Sequence, residues 1–596
     1  MFTKKITAFC TAAMIALSLA ACGSSDSSAS ESKAPSDSTA QSTDAGDNSG
    51  NGGDQGAVTI YDDERHPVET EPVVETLGDF DISDVQNELN VDPDFKLELE
   101  AEDGDLTKPA VVFDSNTQGE FSGKGFVFLA NDTAEVSFDI ELEQTGNYDI
   151  NLVVAGESSN ASAAGKIMLD DASLTTYSIT TNKFARSSAI NLTLEAGKHK
   201  LSFPGSDKQI FIDSVTITAT AAVDLEQYKV RPELINPNAS DETKRLYNFL
   251  KDCFGRYTIS GQYSSDNLGP ACAEIYKIND VTGQSPAILG LDFVEVSLSR
   301  VQSNLNRDSY ETDEEYQAAV RQRSDETAQV LIEQAKEWYL EKGGIVTFCW
   351  HWNAPLGTFT DSWWKGFYSN STNFSIAKAL SKEDQAGYDA IIADIDNLAR
   401  YLKVLDDAHV PILWRPLHEG GGDPKWHNPW FWWGSSGSKA YIELWQLLYD
   451  RLTNYHGINN LIWVWNGQDP DYYVGDDYCD IVGYDIYADG GDTSSQKAVY
   501  DMMKETIGEN KIIALTENGV IPDPDSTFAD GSRWAWFATW NGEFCIDGDF
   551  NLNEAYTPLE MWKKIYTHDR VLTLSELPDL KCYPIDTEKY LAEHAS

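Results

Sequence analysis

Val410-Pro411-Ile412-Leu413-Trp414-Arg415-Pro416-Leu417-His418-Glu419-Gly420-Gly421-Gly422 is the run on which the fold turns. Its first five residues have the length and branching of a buried strand. The chain then delivers Arg415, His418 and Glu419 into a loop opened by three glycines, and Trp430-Phe431-Trp432-Trp433 follow shortly after. A carboxylic acid at a strand's C-terminal end, beside that many rings, points to an acid working on a sugar. Sugars pack their apolar faces on aromatic rings, and their hydroxyls need polar partners. The same residues also read as a buried strand, a glycine turn and an aromatic patch of core.

Working outward, seven further runs resemble this strand, giving eight in all: Tyr257–Gln262, Ala287–Asp292, Ile345–Trp350, Pro411–Pro416, Leu461–Trp465, Ile481–Tyr487, Ile512–Glu517 and Trp534–Trp540. Helical spacing falls between several of them, at Ser324–Tyr339, Ala386–Asp406 and Lys439–Tyr455, and Asp241–Cys253 precedes them with Leu246, Phe249 and Leu250 on one face. Strands alternating with helices predict a parallel β/α architecture, and eight units over residues 237–585 fit a (β/α)8 TIM barrel, with a doubly wound open sheet as the alternative. A barrel places its active site at the C-terminal ends of the strands. Strand three ends in Trp350-His351-Trp352-Asn353, strand four in Arg415, His418 and Glu419, and strand six in Tyr484-Asp485-Ile486-Tyr487. Strand seven ends in Thr516-Glu517-Asn518-Gly519, and strand eight in Thr539-Trp540-Asn541. Two glutamates thus face one mouth ringed by Trp, Tyr and His. No set of three or four His and Asp ligands gathers there, so catalysis is expected to need no cofactor.

Two facing carboxyls suit glycosidic cleavage, one protonated to serve the leaving oxygen and the other ionised to attack the anomeric carbon. An acid after strand four and a nucleophile after strand seven imply retention, with carboxyls about 5–5.5 Å apart. The runs Cys349-Trp350-His351-Trp352-Asn353, Trp414 to Glu419 with Trp430 to Gly434, and Leu515-Thr516-Glu517-Asn518-Gly519 closely resemble glycoside hydrolase family 26, over roughly residues 235–585. The best-known members of that family are endo-β-1,4-mannanases. The resemblance implies catalytic roles for Glu419 as acid/base and Glu517 as nucleophile. It also implies that Tyr487 hydrogen-bonds the nucleophile, that His418 and Asp485 orient and contact the sugar, and that His351 binds beside it. Trp540 would underlie the sugar and Trp432 would stack on the leaving-group side. Arg415 reads equally as a partner of a catalytic carboxylate and as strand-end packing. The expected substrate is a β-mannan polysaccharide, with mixed-linkage β-glucan or xylan under the same mechanism as the alternative. A non-catalytic surface glycan-binding protein is the reading from another class.

Upstream, residues 93–220 change to short alternating runs separated by Gly, Asn, Asp and Ser, the pattern of an all-β sandwich. All 17 tryptophans lie between Trp338 and Trp562, so this module has none. Glu100-Ala101-Glu102, Phe121 to Val127, Thr145-Gly146-Asn147-Tyr148, Glu195-Ala196-Gly197 and Ile210-Phe211-Ile212-Asp213 resemble carbohydrate-binding modules of families 6 and 35. That resemblance implies a structural calcium on Glu100, Glu102 and Asp213, oxygen ligands that suit a hard cation. Phe184 lies where relatives often present a stacking tryptophan, and reads equally as core.

The first 21 residues carry Lys4, Lys5, an apolar run from Ile6 and Leu19-Ala20-Ala21 before Cys22, the form of a lipoprotein signal peptide with Cys22 as the lipidation site. Residues 23–60 hold ten serines, six acidic residues and no aromatic, so residues 22–92 are read as a disordered tether, 221–236 as a connector and 586–596 as a tail. The chain is therefore expected to be an extracellular, cell-surface monomer touching the membrane only through a lipid. A net charge of −52 disfavours nucleic acid and anionic surfaces but puts no penalty on a neutral polysaccharide. The cysteines form no C-x-x-C pair, which argues against a zinc site, while a Cys253–Cys272 disulfide suits this compartment.

Overall fold

The computed structural model describes Thr76 and residues 91–594, apart from 158–162, 171, 180, 207, 221–224, 266–272, 360–364, 424–427 and 508–509. The signal peptide, Cys22, nearly all of the tether and Cys272 lie outside the described residues. Cys253 is a buried free thiol. Among the described residues no helix is long and apolar enough to cross a membrane.

Eight parallel strands close into a barrel: β1 (Gly261–Tyr263), β2 (Ile288–Asp292), β3 (Ile345–Cys349), β4 (Ile412–Arg415), β5 (Leu461–Trp465), β6 (Ile481–Ile486), β7 (Ile512–Asn518) and β8 (Phe537–Thr539). The ring is closed by Gln262 of β1 against Thr539 of β8. These strands are apolar runs without alternation because a barrel strand is buried on both faces, and every residue of β3, β4, β5 and β7 is buried. The open-sheet alternative is thereby set aside.

Helices pack around the ring. Helix α1 (Asp241–Cys253) is capped by Ser240, whose side chain accepts from the Thr243 amide, and buries Leu246, Phe249 and Leu250. Helix α2 spans Asp313–Lys336, starting well before the apolar periodicity does, because a capping box between Thr312 and Glu315 fixes its N-terminus. The first turns of α2 are solvent-facing and polar, so periodicity alone does not register them. Helix α3 (Gln385–Asp407) is capped by Asp384, and α4 (Ser438–Tyr449) runs into a π-helical turn over Asp450–Tyr455. Residues beyond 585 are more than a tail. Thr587–His594 forms a helix, and the Asn248 amide nitrogen on α1 donates to Thr587 Oγ1 at 2.7 Å.

Ahead of the barrel lie two antiparallel sheets. One contains Lys96–Glu100, Val111–Phe113, Phe126–Leu129, Gly146–Gly156, Ala185–Leu194 and Ile210–Ala219. The other contains Asp105–Thr107, Glu135–Leu142, Ala163–Leu169, Ala172–Ile179 and Gly197–Pro204. Leu152, Ile212 and Val215 from the first and Val136, Leu201 and Phe203 from the second belong to one continuous core. A second apolar cluster, Phe126, Ala155 and Phe211, has Phe121, Phe128 and Phe184 packed against it. Phe184 meets Phe126 edge-on at 5.1 Å.

Candidate active site

The barrel's C-terminal mouth is organised around Arg415, the last residue of β4, which is 1% exposed. Its Nη1 donates to Asp485 Oδ2 and its Nη2 to Glu517 Oε2, both at 2.6 Å, while Nε donates to the Tyr263 hydroxyl at 3.2 Å. The planar guanidinium thus ties together β1, β4, β6 and β7. Two charge-assisted bonds of this length, out of water, are strong and directional.

Glu517 reaches this position through an irregularity. The β6–β7 register shifts between Tyr484 and Asp485, and the β7–β8 register shifts between Leu515 and Asn518. In a regular strand, neighbours point to opposite faces. Here Thr516 and Glu517 both turn to the Asp485–Arg415 pair, because a bulge re-aims one of them. Thr516 Oγ1 donates to Asp485 Oδ1 at 2.8 Å, and the Asn466 side-chain amide donates to the same oxygen at 2.7 Å. The Tyr487 hydroxyl donates to Glu517 Oε1. Both oxygens of Glu517 are therefore occupied by donors, the environment of a carboxylate that must stay ionised and aimed.

Glu419 enters from the loop after β4 with its backbone in the left-handed region, φ 54°, as is that of Leu417 at 51°. Non-glycine residues seldom adopt this conformation, which costs on the order of 1–3 kcal/mol and persists only where the surroundings over-determine it. Here they do. The Tyr441 hydroxyl donates to the Leu417 carbonyl at 2.9 Å, Trp433 Nε1 to the His418 carbonyl at 2.8 Å, and the Glu419 amide donates to the Asn466 carbonyl at 2.7 Å. The glycines allow the close approach this clamp needs, since a Cβ on Gly434 would lie 1.6 Å from the Gly420 carbonyl oxygen.

One carboxylate oxygen from each of Glu419, Asp485 and Glu517 lies within 4.8 Å of the others. Arg415 serves Asp485 and Glu517 but forms no hydrogen bond with Glu419 in the described site. Burial pushes the Glu419 carboxyl well above the usual range, and the neighbouring Asp485 and Glu517 charges push it further. Trp430 Nε1 donates to Glu419 Oε2 at 2.6 Å and opposes that rise. The site therefore contains one carboxyl held protonated and one surrounded by donors.

The cleft wall holds the remaining predicted residues. His351 Nδ1 lies 2.6 Å from Asp292 Oδ2 and its Nε2 lies 3.2 Å from His418 Nε2. Trp540 is half-buried between Tyr263 and His351, at 4.9 and 5.6 Å between ring centres. Tyr487 is 43% exposed. Three placements differ from expectation. Trp432 is sealed in the interior, with its indole donating to the Trp352 carbonyl at 2.6 Å and Phe374 and Trp433 packed on it, so it has no free face for a sugar. Asp485 is equally sealed, with its oxygens engaged by Arg415, Asn466 and Thr516, so it presents no exposed oxygen at the mouth. His418, expected with Asp485 to contact the sugar, is likewise sealed at 1% exposed, with its Nε2 turned to His351. Of the residues the sequence reading passed over, Asn466, Tyr263 and Asp292 stand at or just beyond the ends of β5, β1 and β2. The strand-end rule would have found them had it been applied to all eight strands. Trp430 carried no such signal.

Because Trp430 stabilises the ionised form of Glu419, Trp430→Phe should raise the pKa of that acid. The alkaline limb of the kcat/KM–pH profile, which reports groups of the free enzyme, is expected to move to higher pH. A limb that stays in place or moves to lower pH would show that Trp430 does not tune the acid.

Comparison with known proteins agrees with this geometry. The model of glycosyl hydrolase family 26 matches residues 235–322 and 316–576. A mannan endo-1,4-beta-mannosidase of Thermothelomyces thermophilus is 34% identical over 483 residues, 80% of this chain and 90% of that protein. Mannan endo-1,4-beta-mannosidase B of Piromyces sp is 33% identical over 491 residues, 81% and 77% of the two chains. Among solved structures, a Podospora anserina GH26-CBM35 beta-(1,4)-mannanase superposes with a TM-score of 0.57 at 32% identity, covering 82% of this chain and all of that one. With a barrel, a cleft and a matched family model in the same residues, the chain belongs to glycosyl hydrolase family 26.

Proposed function

We propose that this glycoside hydrolase is an endo-acting enzyme that cleaves β-1,4-mannosidic bonds in mannan, glucomannan or galactomannan with retention of configuration. The observation that carries the mechanism is the unequal treatment of two carboxyls whose oxygens lie within 4.8 Å. Glu419 is kept protonated by burial and by its anionic neighbours, while Glu517 receives hydrogen bonds from Arg415 and Tyr487. Oxygens this close fit the roughly 5–5.5 Å carboxyl separation of double displacement better than the about 6.5–9.5 Å of inversion, and support direct attack.

In the first step a Glu517 oxygen bonds to the anomeric carbon as the glycosidic C–O bond breaks, and the Glu419 proton passes to the departing oxygen. Glu419 is then ionised. It takes a proton from a water whose oxygen bonds to the same carbon, and the ester bond to Glu517 breaks to restore both groups. Trp540, His351 and Tyr487 border the space where the sugar would lie. The mannan assignment follows the relatives, whose printed names are those of mannan endo-1,4-beta-mannosidases.

Glu517→Ala should reduce turnover of every substrate to background. Glu419→Ala should slow polysaccharide hydrolysis by about 10²–10⁴-fold, yet spare formation of the glycosyl-enzyme from aryl mannosides with good leaving groups. Near-normal mannan turnover by either variant would refute the assignment. Reducing-sugar release from galactomannan, glucomannan, lichenan and xylan side by side tests the substrate, and a faster rate on lichenan or xylan would displace mannan.

We read the two N-terminal sheets as a β-sandwich carbohydrate-binding module with a structural calcium on Glu100, Glu102 and Asp213. The donor set fits a hard cation. Ser122 Oγ donates to Glu100 Oε2 at 2.6 Å and to Asp213 Oδ2 at 3.2 Å, which brings those carboxylates to one hydroxyl. Glu102 Oε1 accepts from the Gly125 amide at 3.2 Å, and Glu102 Oε2 is buried with no hydrogen-bond partner. Burial raises the Asp213 carboxyl, and the Glu100 and Glu102 charges add to the rise. A bound calcium would offset this gathered negative charge and tie the first strand to the last. At 100 times its Kd, calcium should add about 2.7 kcal/mol of stability. The melting temperature of the wild-type chain should then fall on chelation, and that of Asp213→Asn should respond much less. Equal responses would exclude this site.

The chain is also proposed to be a surface lipoprotein, anchored at Cys22 and held off the membrane by a tether. About 40 residues of such a tether have an r.m.s. reach of ~35 Å. Cys22→Ser should move the protein from the membrane fraction to the soluble fraction; retention in membranes would overturn the anchor.

A further inference from the structure

The geometry points to Asp292 as a positioning residue that, acting through His351, fixes which ring nitrogen of His418 carries the proton beside the catalytic acid. This rests on the reading of Glu419 as the acid.

The argument is one of donors and acceptors. Asp292 faces His351 twice, with Oδ1 accepting the His351 backbone amide at 3.1 Å and Oδ2 lying 2.6 Å from His351 Nδ1. An ionised carboxylate only accepts, so His351 must carry its proton on Nδ1. In the neutral ring Nε2 is then a bare acceptor. It lies 3.2 Å from His418 Nε2, and two bare nitrogens at that distance would repel, so His418 carries its proton on Nε2 and donates it to His351. His418 Nδ1 remains as a lone pair, buried and without a hydrogen-bond partner among the described residues. This is the cheaper arrangement, because a buried orphan N–H is rarer in proteins than an under-used acceptor. Burial holds the His418 ring far below the usual histidine range, and the Arg415 charge acts in the same direction.

The chain of bonds therefore runs one way, from His418 to His351 to Asp292. Its consequence falls on Glu419. His418 is the preceding residue, packed between His351, Phe431 and Trp433 at 4.4, 5.3 and 5.7 Å between ring centres. A reversed tautomer would bury an unpaired N–H at Nδ1, and relieving it would require the ring to move in the loop that aims the acid.

Asp292→Asn reverses the polarity with little change in shape. Its carbonyl oxygen can still accept the His351 amide, but its NH2 group then faces His351 Nδ1 and donates. His351 would carry its proton on Nε2, and His418 would be forced to carry its own on Nδ1. The same logic makes a carboxylate-to-amide change disabling where a carboxylate sets a catalytic histidine's tautomer. Long-range ¹H–¹⁵N spectra of the full chain labelled at histidine read this in the resting protein, apart from any assay on mannan. The wild type should show His351 as the Nδ1–H and His418 as the Nε2–H form, and Asp292→Asn should show both reversed. On mannan its kcat should fall at least tenfold while KM changes less than threefold. His351→Gln, whose amide can donate to Asp292 and accept from His418, should keep the His418 proton on Nε2 and serves if Asp292→Asn does not fold. Unchanged tautomers in Asp292→Asn, reversal without loss of kcat, or a His418 Nδ1–H form in His351→Gln would each overturn the proposal. A wild type with the expected tautomers but no activity on any β-glycan would instead overturn the functional reading.

Discussion

A single buried cation governs the mouth of this barrel. Arg415 meets three carboxyls gathered within 4.8 Å and forms hydrogen bonds with two of them. Two charges can be balanced only in part by one guanidinium, so a third ionised carboxyl in the same buried space would face net repulsion. Burial first, and then that excess, make Glu419 the one that keeps its proton. The roles of acid and nucleophile thus follow from the burial of Glu419 and from which carboxyls Arg415 binds. A lysine would not serve, because its point charge cannot bind two carboxylates and a tyrosine hydroxyl in one plane. Removing the guanidinium would leave buried charge without a partner, typically a loss of about 3–5 kcal/mol.

The second constraint is mechanical. The acid sits on a backbone that favours other conformations, and the aromatic run after it supplies the restraint. Trp433 and Tyr441 hold consecutive carbonyls of the Leu417–His418 segment, and Trp432 fixes the Trp352 carbonyl on the neighbouring strand end. Rings that look from the sequence like a sugar platform are in large part a scaffold. Only Trp430 of the two tryptophans flanking Phe431 places its N–H on the catalytic carboxyl.

This contrast shows where reading from sequence succeeds. The eight strands were legible because full burial on both faces leaves apolar runs such as Leu461 to Trp465, and the strand-end rule then placed Glu419 and Glu517 in one mouth. Burial of a particular ring was not legible, because Trp430 and Trp432 differ only in which way a loop turns. The bulge at Thr516–Glu517 was hidden for a similar reason, since a register shift belongs to the pairing of two strands and leaves no mark on either. The start of α2 at Asp313 was missed because its first turns face water and are specified by a cap.

The charge count around Arg415 also constrains the opposite wall of the cleft. His351 and His418 lie close to Glu419, and a positive charge on either would be a second cation for the same three carboxyls. The balance would then favour ionising Glu419, and the acid would lose the proton it must deliver. A neutral His418 is therefore as necessary to the acid as the anions on the floor, and neutrality needs enforcement in a ring whose ordinary pKa lies near 6.5. Burial supplies most of it, and the Arg415 charge adds to it. The bond from His418 Nε2 to His351 then fixes where that ring's single proton sits and leaves Nδ1 as a lone pair. Floor and wall thus act on the acid from two sides: Arg415 binds the other two carboxyls, and the buried His418 ring adds no charge beside Glu419.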